Sequence, residues 1–265
     1  MDATTKDYLD AAIGAARIGG GIVRDFSKRL STISIDLKGL NDYVTEVDRT
    51  SEHAILGYLR DRFPDHSMIA EESAAPVKET SHQWYIDPLD GTTNFIHGVP
   101  TYAVSVALRI EGKMAAGAVY DPVRDEMFHA QAGVGAFLND ERIHVANRDS
   151  LKGALLATGF PFRAHDRLRE YLRSLETFIL ETAGVRRAGS AALDLCYTAC
   201  GRYDGFWEMS LSPWDVAAGS LIVRESGGVV TDFLGKDGYL KTGNILAGNL
   251  RIYSSMIEII RHTMM

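Results

Sequence analysis

Cysteine is scarce in this chain: Cys196 and Cys200 are the only two in 265 residues. Their i,i+4 spacing beside apolar neighbours reads as two buried free thiols on one helix rather than a disulfide or a metal pair, which fits a reducing cytoplasm. Long apolar runs are missing too. None reaches the ~18–20 residues needed to span a bilayer, and the opening Met1-Asp2-Ala3-Thr4-Thr5-Lys6 is acidic and polar rather than a secretory leader. There is no basic excess: 28 Lys and Arg stand against 35 Asp and Glu, a net charge of −7, so no nucleic-acid backbone contact is expected. The eight histidines show no ligand spacing, and His97, His129 and His165 read as surface or satisfied core groups. Repeats, low-complexity segments and long linkers are also lacking. What remains is an ordinary globular chain, 46% hydrophobic and 24% charged, with length for one large domain or two lobes.

Two patterns divide it. Apolar positions Leu9, Ile13, Ala16 and Val23 predict an amphipathic helix from about Asp7 to Phe26, in which Gly19-Gly20-Gly21 either weakens the helix or marks a close helix contact. A polar loop, Lys38 to Asp48, leads to a second helix from about Asp48 to Arg62, with Ala54, Ile55, Tyr58 and Leu59 inward and Pro64 beyond its end. Ser67 to Ala70 is a short strand delivering Glu71-Glu72-Ser73, and Ala74 to Gln83 is a polar loop. Ala103 to Gln131 reads as an antiparallel meander. After Ser150 strands and helices alternate: Leu155–Ala157, His165–Leu180, Gly184–Arg187, Ser190–Cys200, Gly205–Glu208, Trp214–Glu225, Gly228–Thr231 and a closing helix Tyr253–Thr263. The expected division is 1–150, an α+β lobe, and 151–265, an α/β lobe sharing an interface with it.

The chemistry concentrates in Trp84-Tyr85-Ile86-Asp87-Pro88-Leu89-Asp90-Gly91-Thr92-Thr93-Asn94-Phe95. Trp84 to Ile86 form a strand that should stop at Pro88, which cannot donate to a ladder. Asp87 and Asp90, three residues apart across a Pro-Leu turn, can aim at one point. Thr92 or Thr93 can cap a short helix whose free N–H groups suit an anion. Acids that hold hard cations beside a helix start that holds phosphate suggest metal-assisted phosphate chemistry. Further acids lie at Asp42, Asp48, Glu71, Glu72 and Asp215. Asp48 and Asp215 also have a plain alternative as helix caps.

Taken together, Asp42-x-Val44-Thr45-x-x-Asp48, Glu71-Glu72-Ser73, Asp87-Pro88-Leu89-Asp90-Gly91-Thr92-Thr93-Asn94, Gly189-Ser190-Ala191-Ala192 and Trp214-Asp215-x-Ala217-Ala218-Gly219 run in order along nearly the whole chain. In this the chain resembles the inositol monophosphatase family of the magnesium-dependent, lithium-sensitive phosphatase superfamily. Lys38-Gly39-x-Asn41-Asp42 and Thr158-Gly159-Phe160-Pro161-Phe162 look most like bacterial members. The resemblance implies an α-β-α-β-α layered sandwich, the 1–150 lobe carrying most metal ligands and 151–265 completing the site. It implies two or three Mg2+ ions: one held by Glu71, Asp87 and the Leu89 carbonyl, a second by Asp87, Asp90 and Asp215, and a weaker third helped by Glu71. Such hard oxygen ligands suit Mg2+. It implies hydrolysis of a small phosphomonoester, myo-inositol monophosphate, by metal-activated water, with Thr92, Asp48 and Glu71 catalytic. Gly91 and Thr92 would hold the phosphate, and Asp90, the Ala191 backbone, Glu208 and Asp215 would contact ring hydroxyls. A cytoplasmic homodimer is the implied setting.

Several readings compete. A haloacid-dehalogenase phosphatase would use Asp-x-Asp-Gly-Thr and an aspartyl-phosphate, but here the acids are spaced Asp87-x-x-Asp90 and Glu71-Glu72 has no counterpart. A fructose-1,6-bisphosphate, histidinol-phosphate, NADP or 3′-phosphoadenosine nucleotide phosphatase would reuse the same acids. A regulatory protein that binds another protein on the same fold is a third class. Arg186-Arg187 reads as a second-phosphate contact, an interface or a solvated turn. Glu208 reads as a hydroxyl acceptor or a solvated strand end.

Overall fold

A computed structural model of the chain describes residues 5–39, 42–73, 80–162 and 165–264. Helix α1 (Thr5–Ser27) is followed by a hairpin of β1 (Ile35–Gly39) and β2 (Asp42–Thr45), then helix α2 (Glu46–Arg62). The first large sheet takes β3 (Ser67–Ala70) and β4 (His82–Asp90). After the short helix α3 (Thr92–Ile96) it adds β5 (Ala103–Ile110), β6 (Lys113–Asp121), β7 (Glu126–Gln131), β8 (Gly135–Leu138) and β9 (Glu141–Arg142), lying side by side in chain order. Its pairs are antiparallel except β3 with β4. The rest of the chain runs β10 (Leu155–Thr158), α4 (Leu168–Glu181), β11 (Gly184–Arg186), α5 (Ala191–Ala199), β12 (Gly205–Glu208), α6 (Pro213–Glu225), β13 (Val229–Thr231), α7 (Tyr239–Thr242), β14 (Ile245–Gly248) and α8 (Leu250–Met264). These strands form a second sheet ordered β11-β10-β12-β14-β13.

Alternation along the strands builds the layers, because successive side chains leave a strand on opposite faces. Trp84, Ile86, Val104 and Val106 face α1 and α2, with Ala12, Val23, Ile55 and Leu59. Tyr85, Ala103, Ala107 and Val119 face the other way, onto Leu195, Ala218 and Ile222 of α5 and α6. The same central layer meets Ala157, Phe206 and Ala247 of the second sheet, whose outer face puts Leu156, Trp207 and Leu246 against Phe178, Ile252 and Met256 of α4 and α8. The fold is therefore the five-layer α-β-α-β-α sandwich. Each sheet draws its strands from one side of residue 150, and one continuous core joins them through α5 and α6.

Some expectations need correcting. Residues 38–48 are not a loop but largely the β1–β2 hairpin; Leu40 and Asn41, like residues 74–79 of the expected polar loop, lie outside the described residues. β4 does not end at Pro88. It continues to Asp90 across an irregularity in its pairing with β5, and a proline without a ladder N–H is tolerated at such a bulge. The second sheet is mixed: β10 is parallel to β11 and β12, while β14 is antiparallel to β12 and β13. β14 went unrecognised because Ile245–Gly248 is buried at every position and so shows no period. The hairpin β8–β9 was missed as well, its strands being too short to establish alternation.

The glycine run in α1 is a contact surface. A Cβ on Gly20 would overlap the Tyr120 ring, while one on Gly21 would meet nothing within 4 Å. The ring cannot easily yield, since Tyr120 Oη donates to Asp125 Oδ1 at 2.6 Å. Gly20→Ala is expected to lower stability by about 1–3 kcal/mol through overpacking. Gly21→Ala should raise it by up to ~1 kcal/mol through helix propensity. Urea unfolding of the two variants checks the opposite signs.

Candidate active site

In an unbroken strand, residues three apart face opposite sides. β4 pairs Asp87 with Ser105 but Asp90 with Ala103, so it accommodates one extra residue between the two acids. That bulge brings both carboxylates to a single cavity of about 420 Å³, which Glu71, Leu89, Gly91, Thr92, Ala191, Glu208 and Asp215 also line. The turn is locked locally and from outside. The Leu89 N–H donates to Asp87 Oδ1 at 3.0 Å, and Ser51 of α2 donates its hydroxyl to the Pro88 carbonyl at 3.0 Å.

Gly91, rather than Thr92 or Thr93, caps α3, with φ of 100°. A Cβ there would be strained in that left-handed backbone and would sit 3.0 Å from the Thr101 carbonyl. Thr92 is therefore the first helical residue, and its hydroxyl is left for other work. It lies 2.9 Å from Asp48 Oδ1 and 3.0 Å from the Leu89 carbonyl, with one proton to give.

Asp48 and Asp215 are neither simple caps nor simple site acids. Each is the third residue of its helix, after the caps Thr45 and Ser212. Asp48 Oδ2 accepts from the Thr45 N–H at 2.8 Å and its hydroxyl at 2.6 Å, leaving Oδ1 to Thr92. Asp215 Oδ2 accepts from the Ser212 N–H at 2.8 Å. In each, one oxygen satisfies the helix start, and in Asp48 the other oxygen meets Thr92. Burial raises the Asp48 pKa, against hydrogen bonds from Thr45 and Thr92 that lower it.

Asp87 is buried among like charges. It is 1% exposed, and burial pushes its pKa well above the ordinary carboxylate range, with Glu71, Asp90 and Asp215 adding repulsion in that order. Asp90 is pushed up to about 6, chiefly by burial, although Ser190 Oγ (2.6 Å) and the Ala192 N–H (2.7 Å) both donate to its Oδ2. Those bonds occupy one Asp90 oxygen and fasten β4 to the start of α5. Glu208 is raised to about 8, mainly by burial, with Arg187 opposing and Asp90 and Asp215 contributing. Its carboxylate rests where Gly159 leaves no side chain, and a Cβ there would collide with it.

In this conformation no three acidic, histidine or cysteine side chains among the described residues enclose a common point closely enough to hold an ion. The donor set nonetheless fits a hard cation. Five carboxylates line one cavity, the most buried of them, Asp87, faces Glu71, Asp90 and Asp215, and a cation is the counter-charge that would draw these four inward.

Sequence reasoning missed several contributors. Glu52, 3% exposed on α2, accepts from the Glu72 N–H at 2.7 Å and from the Ser73 hydroxyl, so it grips the segment that carries Glu71. Its sequence signal, one more acid on a helix, resembles any solvated charge. Asn94 donates to the Thr101 carbonyl at 2.7 Å and the Ala188 carbonyl at 2.8 Å, tying α3 to the loop before α5. Arg187 lines the cavity, whereas Arg186 does not. Of the histidines, His97 sits on the cavity rim and is exposed, His129 hydrogen-bonds the Asn139 carbonyl through Nε2 at 2.9 Å, and His165 is exposed. Cys196 and Cys200 are free thiols. The Asp42 side chain lies outside the described residues.

Residues 5–264 match the family model described as the inositol monophosphatase family. The "Nus factor SuhB" of Pseudomonas aeruginosa is 48% identical over 261 residues, 97% of this chain and 96% of that protein. Among solved structures, the extragenic suppressor protein suhB of Bartonella henselae superposes with a TM-score of 0.91 at 41% identity, over 96% of this chain and 98% of the other. The inositol monophosphatase of Anabaena does so with a TM-score of 0.85 at 36% identity, covering 97% and 96%.

The raised carboxyl groups set a pH dependence. A carboxyl whose pKa is higher folded than unfolded contributes stability below its unfolded value and loses it as pH rises through the folded one. The metal-free protein is therefore expected to lose stability through about pH 6 as Asp90 ionises and through about pH 8 as Glu208 does. Asp87→Asn should melt higher than wild type at pH 8 without metal, with the gain vanishing toward pH 4. A gain of about 1 kcal/mol reads as about 2–4 °C in a chain of this size. Thermal melts in chelator across that range check it.

Proposed function

The chain belongs to the inositol monophosphatase family, and from that premise we propose that it is a magnesium-dependent phosphomonoesterase that hydrolyses myo-inositol monophosphate to inositol and phosphate. The observation that carries this reading is the convergence of Glu71, Asp87, Asp90 and Asp215 on one cavity beside the Asp48–Thr92 pair. Glu71, Asp87 and the Leu89 carbonyl would hold one Mg2+, and Asp87, Asp90 and Asp215 a second, with Glu71 helping a weaker third. Bound there, the ions would polarise the phosphoryl oxygens and make water acidic enough to attack near neutral pH.

The chain's own groups supply the rest. Thr92, donating its proton to Asp48 Oδ1, keeps its oxygen lone pairs for the proton of an incoming water, and Asp48, made more basic by burial, would accept the proton that Thr92 passes on. Glu71, just past the end of β3 and beside the parallel β4, would complete the catalytic set. The backbone of Gly91 and Thr92 would receive the phosphate. Glu208, Asp215, the remaining Asp90 oxygen and the Ala191 backbone would receive ring hydroxyls, which carboxylates accept well. Residues 1–150 and 151–265 would act as two lobes of one catalytic unit, since Glu208 and Asp215 come from the second.

Related sugar and nucleotide phosphatase activities would use the same acids. Homodimerisation is supported by the exposed apolar face of α4, where Leu168, Leu172, Ile179 and Leu180 are 40%, 49%, 57% and 78% exposed. A cytoplasmic setting is supported by the free thiols, and no helix among the described residues is long and apolar enough to cross a membrane. A second, regulatory reading has one specific support: the Pseudomonas aeruginosa relative is named a Nus factor. With a net charge of −7, contact with a protein suits this chain better than contact with a nucleic-acid backbone.

Phosphate release from myo-inositol 1-phosphate, fructose 1,6-bisphosphate, histidinol phosphate, NADP and 3′-phosphoadenosine 5′-phosphate, with Mg2+ and with or without lithium, tests the assignment. Fast, lithium-inhibited turnover of the inositol ester is expected, and Asp87→Asn should nearly abolish it. Absence of turnover in folded, Mg2+-loaded protein would favour the regulatory reading. Because Mg2+ competes with protons on its ligand Asp90, its affinity should rise through about pH 6, with proton release visible by calorimetry in buffers of differing ionisation enthalpy.

A further inference from the structure

Arg187 is the only lysine or arginine among the described residues lining the cavity. It makes no ion pair among the described residues, although Asp90, Asp194 and Glu208 all feel its charge. Two aromatic faces hold it instead: its guanidinium carbon lies 5.7 Å from the Phe160 ring centre and 5.2 Å from that of Phe162. Those rings meet edge to face at 5.9 Å, and Phe160 meets Tyr171 in the same way at 6.0 Å. The backbone beside it is fixed as well, since Asn94 of α3 donates to the Ala188 carbonyl at 2.8 Å. Phe160 and Phe162, 41% and 46% exposed, stand where the cavity opens to solvent.

A guanidinium stacked on aromatic rings keeps its planar N–H fork for a partner, and that fork matches a phosphate. The acids fill the inner part of the cavity, so an anion on Arg187 belongs to the end of the substrate that points toward the mouth. Between the two ends lie carboxylates suited to hydroxyls. We propose that Arg187, cradled by Phe160 and Phe162, is a specificity-determining residue that binds the second phosphate of a polyol bisphosphate. This rests on the phosphomonoesterase reading of the same cavity.

The test compares myo-inositol 1-phosphate with inositol 1,4-bisphosphate as substrates of wild type, Arg187→Ala, Arg187→Lys and Phe162→Leu, with Mg2+. For the bisphosphate, Arg187→Ala should lower kcat/KM by about 10- to 100-fold, mostly through KM, as expected for losing a charge-assisted bond. The monophosphate should lose far less, Arg187→Lys should recover part of the bisphosphate effect, and Phe162→Leu should fall between. Equal losses on both substrates would overturn the proposal and leave Arg187 as a general counter-charge. If wild type hydrolyses neither compound, the phosphatase reading fails on its own. Calorimetric binding of inositol 1,4-bisphosphate to wild type and Arg187→Ala still decides the subsite, and equal affinities refute it. An Arg187 dependence confined to 3′-phosphoadenosine 5′-phosphate would overturn the polyol class.

Discussion

A carboxylate buried among other carboxylates is the constraint on which this architecture turns. Asp87 is nearly sealed from water and faces Glu71, Asp90 and Asp215, an arrangement that opposes folding in the absence of a counter-charge. It persists because each acid is placed by a rigid neighbour rather than by the others. A bulge turns Asp87 and Asp90 to one side, a buried Glu52 holds the Glu71 segment, and a helix start holds Asp215. The repulsion held there is what a bound cation would relieve.

The same economy recurs at the helix starts. Asp48 and Asp215 each use one oxygen to satisfy the N–H of the cap residue, an ordinary device of helix stability. The remaining oxygen of Asp48 meets Thr92. Capping and site chemistry are thus not rival accounts of these acids. The cap is what gives the second oxygen a direction.

Joining the two sheets is also the task of site residues. Asp90 bonds to Ser190 and Ala192 at the start of α5, and Asn94 reaches the Ala188 carbonyl. The cavity therefore lies on the seam between the strands of residues 1–150 and those of 151–265, with α5 and α6 buried between the sheets. Arg187 stands on that seam as well, carried by the loop that Asn94 anchors.

By itself the sequence determined the long helices, the antiparallel meander and the alternation after Ser150, because periodicity and local spacing are properties of neighbouring residues, while the acids at 48, 71, 87, 90 and 215 stood out through the family resemblance. It also carried the family, through motifs in order. Tertiary structure alone decided what depends on distant partners: that β4 runs through Pro88, that β14 lies antiparallel in a mixed sheet, and that Gly20 must leave room for the Tyr120 ring. Glu52 and Arg187 belong to that second group. In sequence Glu52 reads like any solvated charge, and Arg187 leaves a second-phosphate contact, an interface and a solvated turn equally open. Only the chain segments that fold against them, some 20 residues away for Glu52 and 25 or more for Arg187, show what they touch.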